Sequence, residues 1–183
     1  MENARSKEHS LETGEAFIQR SRSYLTGDYV PKVRLAVQEL AEEDVWWRPN
    51  EVSNSVGNLI LHLAGNVRQW VVSGIGESPD VRRRDKEFGA RGGLGSEGLL
   101  SHLEEAVEEA DGVLSHLPPA RLLEPRTIQG MDLSVLDALY HVVEHFSTHT
   151  GQILYVVKLR TGRDLGFWEM KDGRAVPRWT EVR

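Results

Sequence analysis

The sequence predicts an all-α protein, and more narrowly a four-helix bundle. Four segments carry apolar residues three and four positions apart, which is the spacing that gives a helix one buried face. Residues that start or stop helices flank these segments, and there is almost no alternation of the kind that marks a strand. A chain of 183 residues is long enough to bury a core of this kind.

The first predicted helix extends from about Gly14 to Ala41. Pro31 lies inside this segment, and a proline removes one backbone hydrogen bond and clashes with the preceding turn. The helix should therefore kink or split near Tyr29.

The second helix should begin at Ser53 or Ser55, since either hydroxyl can cap it, and should end near Ser73. A long link follows at 74–95, and links of this length are functional or cross the length of a bundle. The third helix should cover 96–117. The link would allow the second and third helices to run parallel.

The fourth helix should begin with a capping box formed by Ser134 and Asp137. It should extend to about Arg160, and Gly162 should close it. The loop before it is expected to hold at most a short extended piece at 127–129.

We expect three regions along the chain. Residues 1–12 should form a flexible N-terminus, and 13–166 should form the bundle. Residues 167–183 should form a tail that packs on the bundle or on a dimer partner. The whole segment after the fourth helix, 163–183, is predicted to be packed but irregular.

Composition argues against several classes of function. The net charge of −6 disfavours binding to nucleic-acid phosphates or to an anionic membrane surface. No apolar stretch approaches the roughly 20 residues that span a bilayer, and no secretory signal is recognisable, so a cytoplasmic location is expected. The chain has no cysteine and seven histidines, so any metal chemistry should depend on histidine.

Three histidines of the fourth helix, His141, His145 and His149, lie four residues apart. Side chains at this spacing are one turn apart on one face, so two of them can bind one divalent ion. The helical period places His149 within the apolar face, His145 at its border and His141 toward the polar side. His145 and His149 are therefore candidate ligands, although two ordinary buried histidines would give the same pattern.

A metal site with catalytic capacity needs three protein ligands and an open position, so a third ligand should come from another helix. His62 is the best candidate because it lies beside the apolar face of the second helix. An ordinary histidine at the core boundary is the alternative. Phe146 stands where a zincin-type peptidase carries its general base, which argues against that class. The other histidines (His9, His102 and His116) are expected to be solvated.

Three segments around the candidate ligands match motifs of a known family. They are Trp47-Arg48-Pro49-Asn50-Glu51 with Asn54-Ser55-Val56-Gly57, then Leu61-His62-Leu63-Ala64-Gly65-Asn66, and His145-Phe146-Ser147-Thr148-His149-Thr150-Gly151-Gln152-Ile153. Together they resemble the DinB-like superfamily, in its uncharacterised branch with a WRPN…SNS start and an H-x-x-x-H-x-G-Q-I close. The resemblance covers about 17–166, and the combination is specific although each segment alone is not.

The resemblance implies an up-down-down-up bundle that forms a homodimer. It also implies one divalent metal, zinc or nickel, held by His62, His145 and His149. Members of the superfamily include thiol-dependent S-transferases and a thiol-dependent isomerase. Because this chain has no cysteine, a thiol would enter as a low-molecular-weight cosubstrate such as bacillithiol or mycothiol.

The predicted function is a metal-dependent enzyme that acts on a small molecule, as an S-transferase or a hydrolase. A non-catalytic metal-binding protein or a helical interaction protein is the alternative. The sequence identifies no catalytic residue. Asn66, His141 and Gln152 are candidates for hydrogen bonds to the ligands or for substrate contacts, and simple solvation is the alternative for Asn66 and Gln152. The arginine run at 82–84 has acidic neighbours and is interpreted as a solvated loop.

Overall fold

The computed structural model describes residues 2–180, with side chains from residue 8 onward. The chain is mostly helical and carries two small antiparallel sheets. No helix in the described range combines the length and the apolar character that a bilayer-spanning helix needs. The prediction of an all-α chain therefore holds for most of the molecule and needs correction at two short hairpins.

The N-terminal helix is interrupted close to its predicted kink. Helix α1 spans Glu2–Tyr24, a π-helical turn covers Leu25–Tyr29, and α2 spans Val30–Gln38. Pro31 follows this turn as the second residue of α2, and the backbone stays right-handed helical at Tyr29 and Val30, so the helix bulges at the proline and does not split. Residues 2–12 are helical, and their flexibility stays a prediction.

Helix α3 begins at one of the two predicted caps. It spans Val56–Val67, and the Ser55 hydroxyl accepts a hydrogen bond from the backbone N–H of Asn58. The side chain of Asn58 accepts in return from the Ser55 backbone. The cap is therefore Ser55 and not Ser53. A π-helical segment, Arg68–Ser73, continues the helix.

The long link after α3 contains a short helix. Helix α4 spans Arg84–Gly89, and α5 follows at Ser96–Ser115. The start of α5 is fixed by Glu42, from the loop after α2, whose carboxylate accepts hydrogen bonds from the backbone N–H and the hydroxyl of Ser96. Within the link, α4 packs against α3.

A β-hairpin precedes the longest helix of the described chain. Strands β1, Pro125–Ile128, and β2, Met131–Ser134, pair antiparallel where only a short extended piece was predicted. Helix α6 then spans Val135–Thr161. Its predicted start, end and caps are confirmed.

The C-terminal tail forms a second hairpin, so the prediction of an irregular tail is wrong in the described range. Strand β3 spans Trp168–Lys171 and β4 spans Arg174–Pro177. Asp172 and Gly173 join them with φ values of 50° and 75°. An Asp-Gly pair with positive φ at both residues is a preferred two-residue hairpin turn.

Ion pairs show the relative direction of the outer helices. Arg22 of α1 pairs with Asp111, and Arg34 of α2 pairs with Glu104, so these helices run antiparallel to α5. The apolar core lies between them and the remaining helices. Its largest fully buried side chains include Phe146, Leu25, Ile60, Leu63, Ile75, Leu99, Leu100 and Leu103.

Candidate metal centre

Three histidines bring their Nε2 atoms together between α3 and α6. His145 Nε2 lies 3.1 Å from His62 Nε2 and 3.2 Å from His149 Nε2. Ligand atoms of the three residues all lie within 4.8 Å of one another. Metal–nitrogen distances of about 2.0–2.1 Å and a tetrahedral angle correspond to nitrogen separations of roughly 3.3 Å. The cluster is therefore compatible with one divalent ion.

Helical register produces this convergence. His145 and His149 lie one turn apart on α6, and His62 faces them from α3. Two turns after His62, the ring of Trp70 stacks on His141, with 3.9 Å between centroids. Since His141 precedes His145 by one turn, α3 and α6 run antiparallel past each other at the site.

The hydrogen bonding of His145 is incomplete. Its Nδ1 is buried and has no partner among the described residues. If the ring proton is on Nε2, it can be donated to only one of the two neighbouring Nε2 atoms. If it is on Nδ1, that buried N–H has no acceptor among the described residues, and the Nε2 lone pair faces the two neighbouring nitrogens without a proton of its own to donate. A cation that binds all three lone pairs would remove this conflict, which favours a metal site over three ordinary buried histidines.

Burial keeps His145 uncharged near neutral pH. Burial, and then repulsion from His149 and His62, lowers the pKa of His145 to about 3. Burial also lowers the pKa of His149, although its hydrogen bond with Gln152 opposes the shift. Metal ions bind neutral imidazole, so no proton has to leave His145 at pH 7.

The three flanking candidates lie in different surroundings. Gln152 Oε1 is 2.8 Å from His149 Nδ1. Because an amide oxygen only accepts hydrogen bonds, the Nδ1 atom of His149 carries the ring proton. His141 lies outside the ligand group, 5.3 Å from His145 between ring centroids. Asn66 is 3% exposed, and its Oδ1 has no partner within the described chain. Of these three flanking candidates in the described chain, Gln152 is therefore the one that hydrogen-bonds to a candidate ligand.

Glu87 and Arg82 also belong to the site, although the sequence pattern did not indicate them, and the interpretation of their loop as solvated is wrong for both. Glu87 is 8% exposed, and its Oε2 lies 2.9 Å from His62 Nδ1. Arg82 donates from Nε to Oε1 at 2.7 Å and from Nη2 to Oε2 at 2.8 Å. Burial alone would raise the pKa of Glu87, but hydrogen bonds from Arg82 and His62 outweigh burial and hold that pKa below its ordinary value.

Helix α4 places Glu87 at the site. Asn58 of α3 donates from Nδ2 to the backbone carbonyl of Glu87 at 2.7 Å. The next residue, Phe88, packs on the His62 ring with 4.5 Å between centroids. Gly65 leaves room for the carboxylate, because a Cβ at that position would collide with it.

Two cavities adjoin this arrangement. One, of about 380 Å³, is lined by Tyr155 and by Gln152, the hydrogen-bond partner of His149. The other, of about 450 Å³, lies beside Arg82, Glu87 and His102. Each cavity is therefore lined by a residue that hydrogen-bonds to a candidate ligand.

The remaining histidines lie away from the cluster. His9 and His116 are exposed, as predicted. His102 is partly buried, and its Nε2 lies 3.3 Å from Arg68 Nη1. The prediction of a solvated side chain is therefore wrong for His102. Burial, and then the charge of Arg68, lowers the pKa of His102.

A family model matches most of the chain. The family is described as "Protein of unknown function (DUF1572)", and the match covers residues 12–173. No curated protein matches the chain.

Proposed function

The chain belongs to the DUF1572 family, which is DinB-like, and from that premise we propose that it binds one divalent transition-metal ion through His62, His145 and His149. The convergence of the three Nε2 atoms carries the proposal. The neutral state of His145 supports it. Zinc or nickel is the proposed ion, because imidazole suits both.

We extend the proposal to a metal-dependent reaction on a small molecule. Three protein ligands leave a further coordination position, at which a bound ion would act as a Lewis acid toward a substrate oxygen or sulfur. His145 and His149 are only partly buried, and the 380 Å³ cavity is lined by Gln152, which hydrogen-bonds to His149. Apolar walls with a few polar groups such as Asn54 suit a small organic substrate.

Thiol S-transfer is the first candidate reaction and hydrolysis is the second. The resemblance to the DinB-like superfamily supports thiol chemistry. The chain has no cysteine, so bacillithiol, mycothiol or a similar thiol would act as cosubstrate. Asn66, His141 and Gln152 are proposed to orient the ligands or the substrate. The amides of Asn66 and Gln152 can form hydrogen bonds but do not take protons.

The same resemblance supports proposals about architecture and assembly. The antiparallel courses of α3 and α6, and of α5 and the first two helices, support an up-down-down-up four-helix bundle over 13–166. We also propose membership of the WRPN branch, a homodimer and a cytoplasmic location. The net charge of −6 supports the proposal that neither nucleic acid nor membrane is a partner.

Elemental analysis of protein purified without an affinity tag tests the metal proposal. We expect about one equivalent of zinc or nickel per chain, and less than about a tenth in His62→Ala, because one of three ligands is lost. Equal metal content in the two proteins would contradict the proposed site.

Activity assays test the reaction. Electrophiles would be offered with bacillithiol, mycothiol and glutathione in turn, and esters would be offered alone. Turnover that disappears when the metal is removed supports the enzyme. Bound metal without turnover would favour a non-catalytic metal-binding protein, and absence of both would favour a helical interaction protein.

A further inference from the structure

We propose that Glu87, clamped by Arg82, is a positioning residue for His62. It holds the ring proton on Nδ1 and so leaves the Nε2 lone pair free at the three-histidine cluster. Its effect on metal affinity rests on the proposed function, whereas its effect on the His62 tautomer does not.

The contact geometry determines which ring nitrogen carries the proton. Glu87 Oε2 is 2.9 Å from His62 Nδ1. An ionised carboxylate only accepts hydrogen bonds, so this contact requires a proton on Nδ1. When the His62 ring is neutral it carries only this one proton, so Nε2 is then unprotonated on the side that faces His145.

A second neighbour of His62 Nδ1 could suggest the opposite tautomer. Arg82 Nη2 is 3.0 Å from the same nitrogen and could donate to it. That arrangement would leave Glu87 Oε2 and His62 Nδ1 facing each other with lone pairs, at 2.9 Å and away from water. Arg82 Nη2 already donates to Oε2 at 2.8 Å, so Nδ1–H donation to the carboxylate satisfies all three groups.

The pair is built into the fold. The side chains of Arg82 and Glu87 are only 5% and 10% exposed, so the ion pair is shielded from solvent. Asn58 anchors the backbone of Glu87, and Gly65 supplies the space that the carboxylate occupies. A buried, two-pronged Arg–carboxylate pair has little freedom to turn away from His62.

The expected consequence is a stronger ligand at His62. Carboxylate partners of metal-binding histidines fix the ring and raise its basicity, and their loss costs about 10–100-fold in metal affinity. His149 has the same support from Gln152, but that acceptor is neutral and lies in an exposed residue.

The first test reads the tautomer directly in metal-free protein. Long-range proton–nitrogen NMR of ¹⁵N-histidine-labelled chain, at a pH about 1.5 units above the ordinary histidine pKa of ~6.5, should show His62 protonated at Nδ1. In Glu87→Gln the population protonated at Nε2 should rise. His62 protonated at Nε2 in the native protein, or an unchanged tautomer in Glu87→Gln, would overturn the proposal whether or not metal binds.

The matched control is Glu109→Gln. Glu109 forms the same two-pronged pair with Arg68, at 2.9 Å for both hydrogen bonds, and contacts none of the three histidines. Its loss should leave the His62 tautomer and the metal affinity unchanged. An equal effect in both variants would mean that a general loss of an ion pair, and not positioning, is being measured.

The second test measures affinity for Co²⁺ by its visible spectrum. We expect Glu87→Gln to bind about 10–100-fold more weakly than the native chain and than Glu109→Gln. If the native chain binds Co²⁺ and the three proteins have the same affinity, the positioning role is overturned. If the native chain does not bind Co²⁺, only the proposed function is contradicted.

A third variant, Gly65→Ala, tests the proposal even if Glu87→Gln does not fold. Gly65→Ala keeps the carboxylate but displaces it, because its Cβ would collide with Glu87. It should shift the tautomer and weaken Co²⁺ binding in the same direction, in protein whose circular dichroism matches the native chain. A folded Gly65→Ala with native tautomer and native affinity would contradict the proposal.

Discussion

At the scale of single residues, the three candidate ligands differ in the hydrogen-bond partner of their Nδ1 atoms. The Nδ1 of His62 faces the carboxylate of Glu87, and that of His149 faces the amide of Gln152. The Nδ1 of His145 faces no partner in the described chain. Hydrogen bonds to charged acceptors are stronger than those to neutral ones, so we expect His62 to be the best-ordered ligand.

Replacing His145 by alanine should abolish metal binding. The Nε2 of His145 contacts the Nε2 atoms of both other histidines, so its removal leaves an ion with only two of its three protein ligands. The loss in Co²⁺ affinity should exceed the roughly 10–100-fold caused by loss of a hydrogen-bonding partner of a ligand. Calorimetric or spectroscopic titration measures this loss.

His141→Ala is the matched control for that variant. His141 lies on the same helix one turn away, stacks on Trp70 and is outside the ligand group. Its loss should change metal affinity far less than the loss of His145. A larger effect in His141→Ala would show that the ligand set is wrong.

His62 was chosen from its place beside the apolar face of its helix and from the family resemblance. Helical spacing selected only His145 and His149, because side chains four residues apart share a face. It was not sufficient to find Glu87. Glu87 lies 25 positions after His62, and their contact depends on how the link folds back over α3. The charge pattern of the link is the same for a solvated loop and for a buried ion pair, so the sequence gives no signal that separates them.

Two capping boxes define the helices at the scale of elements. At α3 the choice between two serines was open in the sequence, and the structure resolves it. Ser55→Ala should destabilise the protein by about 1–2 kcal/mol, because the buried hydroxyl satisfies the N–H of Asn58. Chemical denaturation measures the change.

Ser53→Ala serves as the comparison for Ser55→Ala. The Ser53 hydroxyl donates only to Asn50 in the loop before the helix, at 2.8 Å. Its loss should change stability by no more than about 0.5 kcal/mol. Equal destabilisation by the two substitutions would contradict the assignment of the cap.

The cap of α6 should make stability depend on pH. The hydroxyl and backbone N–H of Ser134 donate to Asp137 at 2.6 Å and 3.0 Å and hold its pKa below the ordinary value. The folded-state pKa is the lower one, so this stabilisation is complete above the unfolded value of about 3.9 and is lost as the pH falls through the folded value.

Asp137→Asn isolates that dependence, since its amide oxygen can accept the same hydrogen bonds without a charge. The difference in unfolding temperature between the native chain and Asp137→Asn should be steady near neutral pH. It should shrink below about pH 4 as Asp137 protonates. A difference that stays constant through the acid range would rule out the contribution of the carboxylate.

The helices were more predictable than the hairpins for a physical reason. Each long helix repeats its apolar spacing over many turns, whereas each strand here has four residues and little buried surface. Turn chemistry was the remaining signal. Asp172-Gly173 and Gln129-Gly130 both adopt positive φ at the hairpin turns, and the Asp-Gly pair is a recognisable hairpin signature.

At the scale of the whole molecule, the site couples three parts of the chain. Helix α3 supplies His62, α6 supplies the other two histidines, and the link with α4 supplies Glu87. An ion bound between them should therefore resist the separation of these elements. Metal binding should stabilise the entire fold by mass action.

Zinc added to metal-free protein should raise the unfolding temperature. At about 100 times the dissociation constant the gain is about 2.7 kcal/mol, which corresponds to roughly 5–10 °C in a chain of this size. Calorimetry on the native chain and on His62→Ala measures the difference. A rise of the same size in His62→Ala would place the zinc elsewhere.

X-ray absorption at the metal edge of the untagged, metal-loaded protein tests the central claim most directly. We expect three imidazole nitrogens at about 2.0–2.1 Å from one ion in the native chain, and no more than about a tenth of that metal signal in His62→Ala. A spectrum with one imidazole or none, or one that His62→Ala leaves unchanged, would contradict the claim.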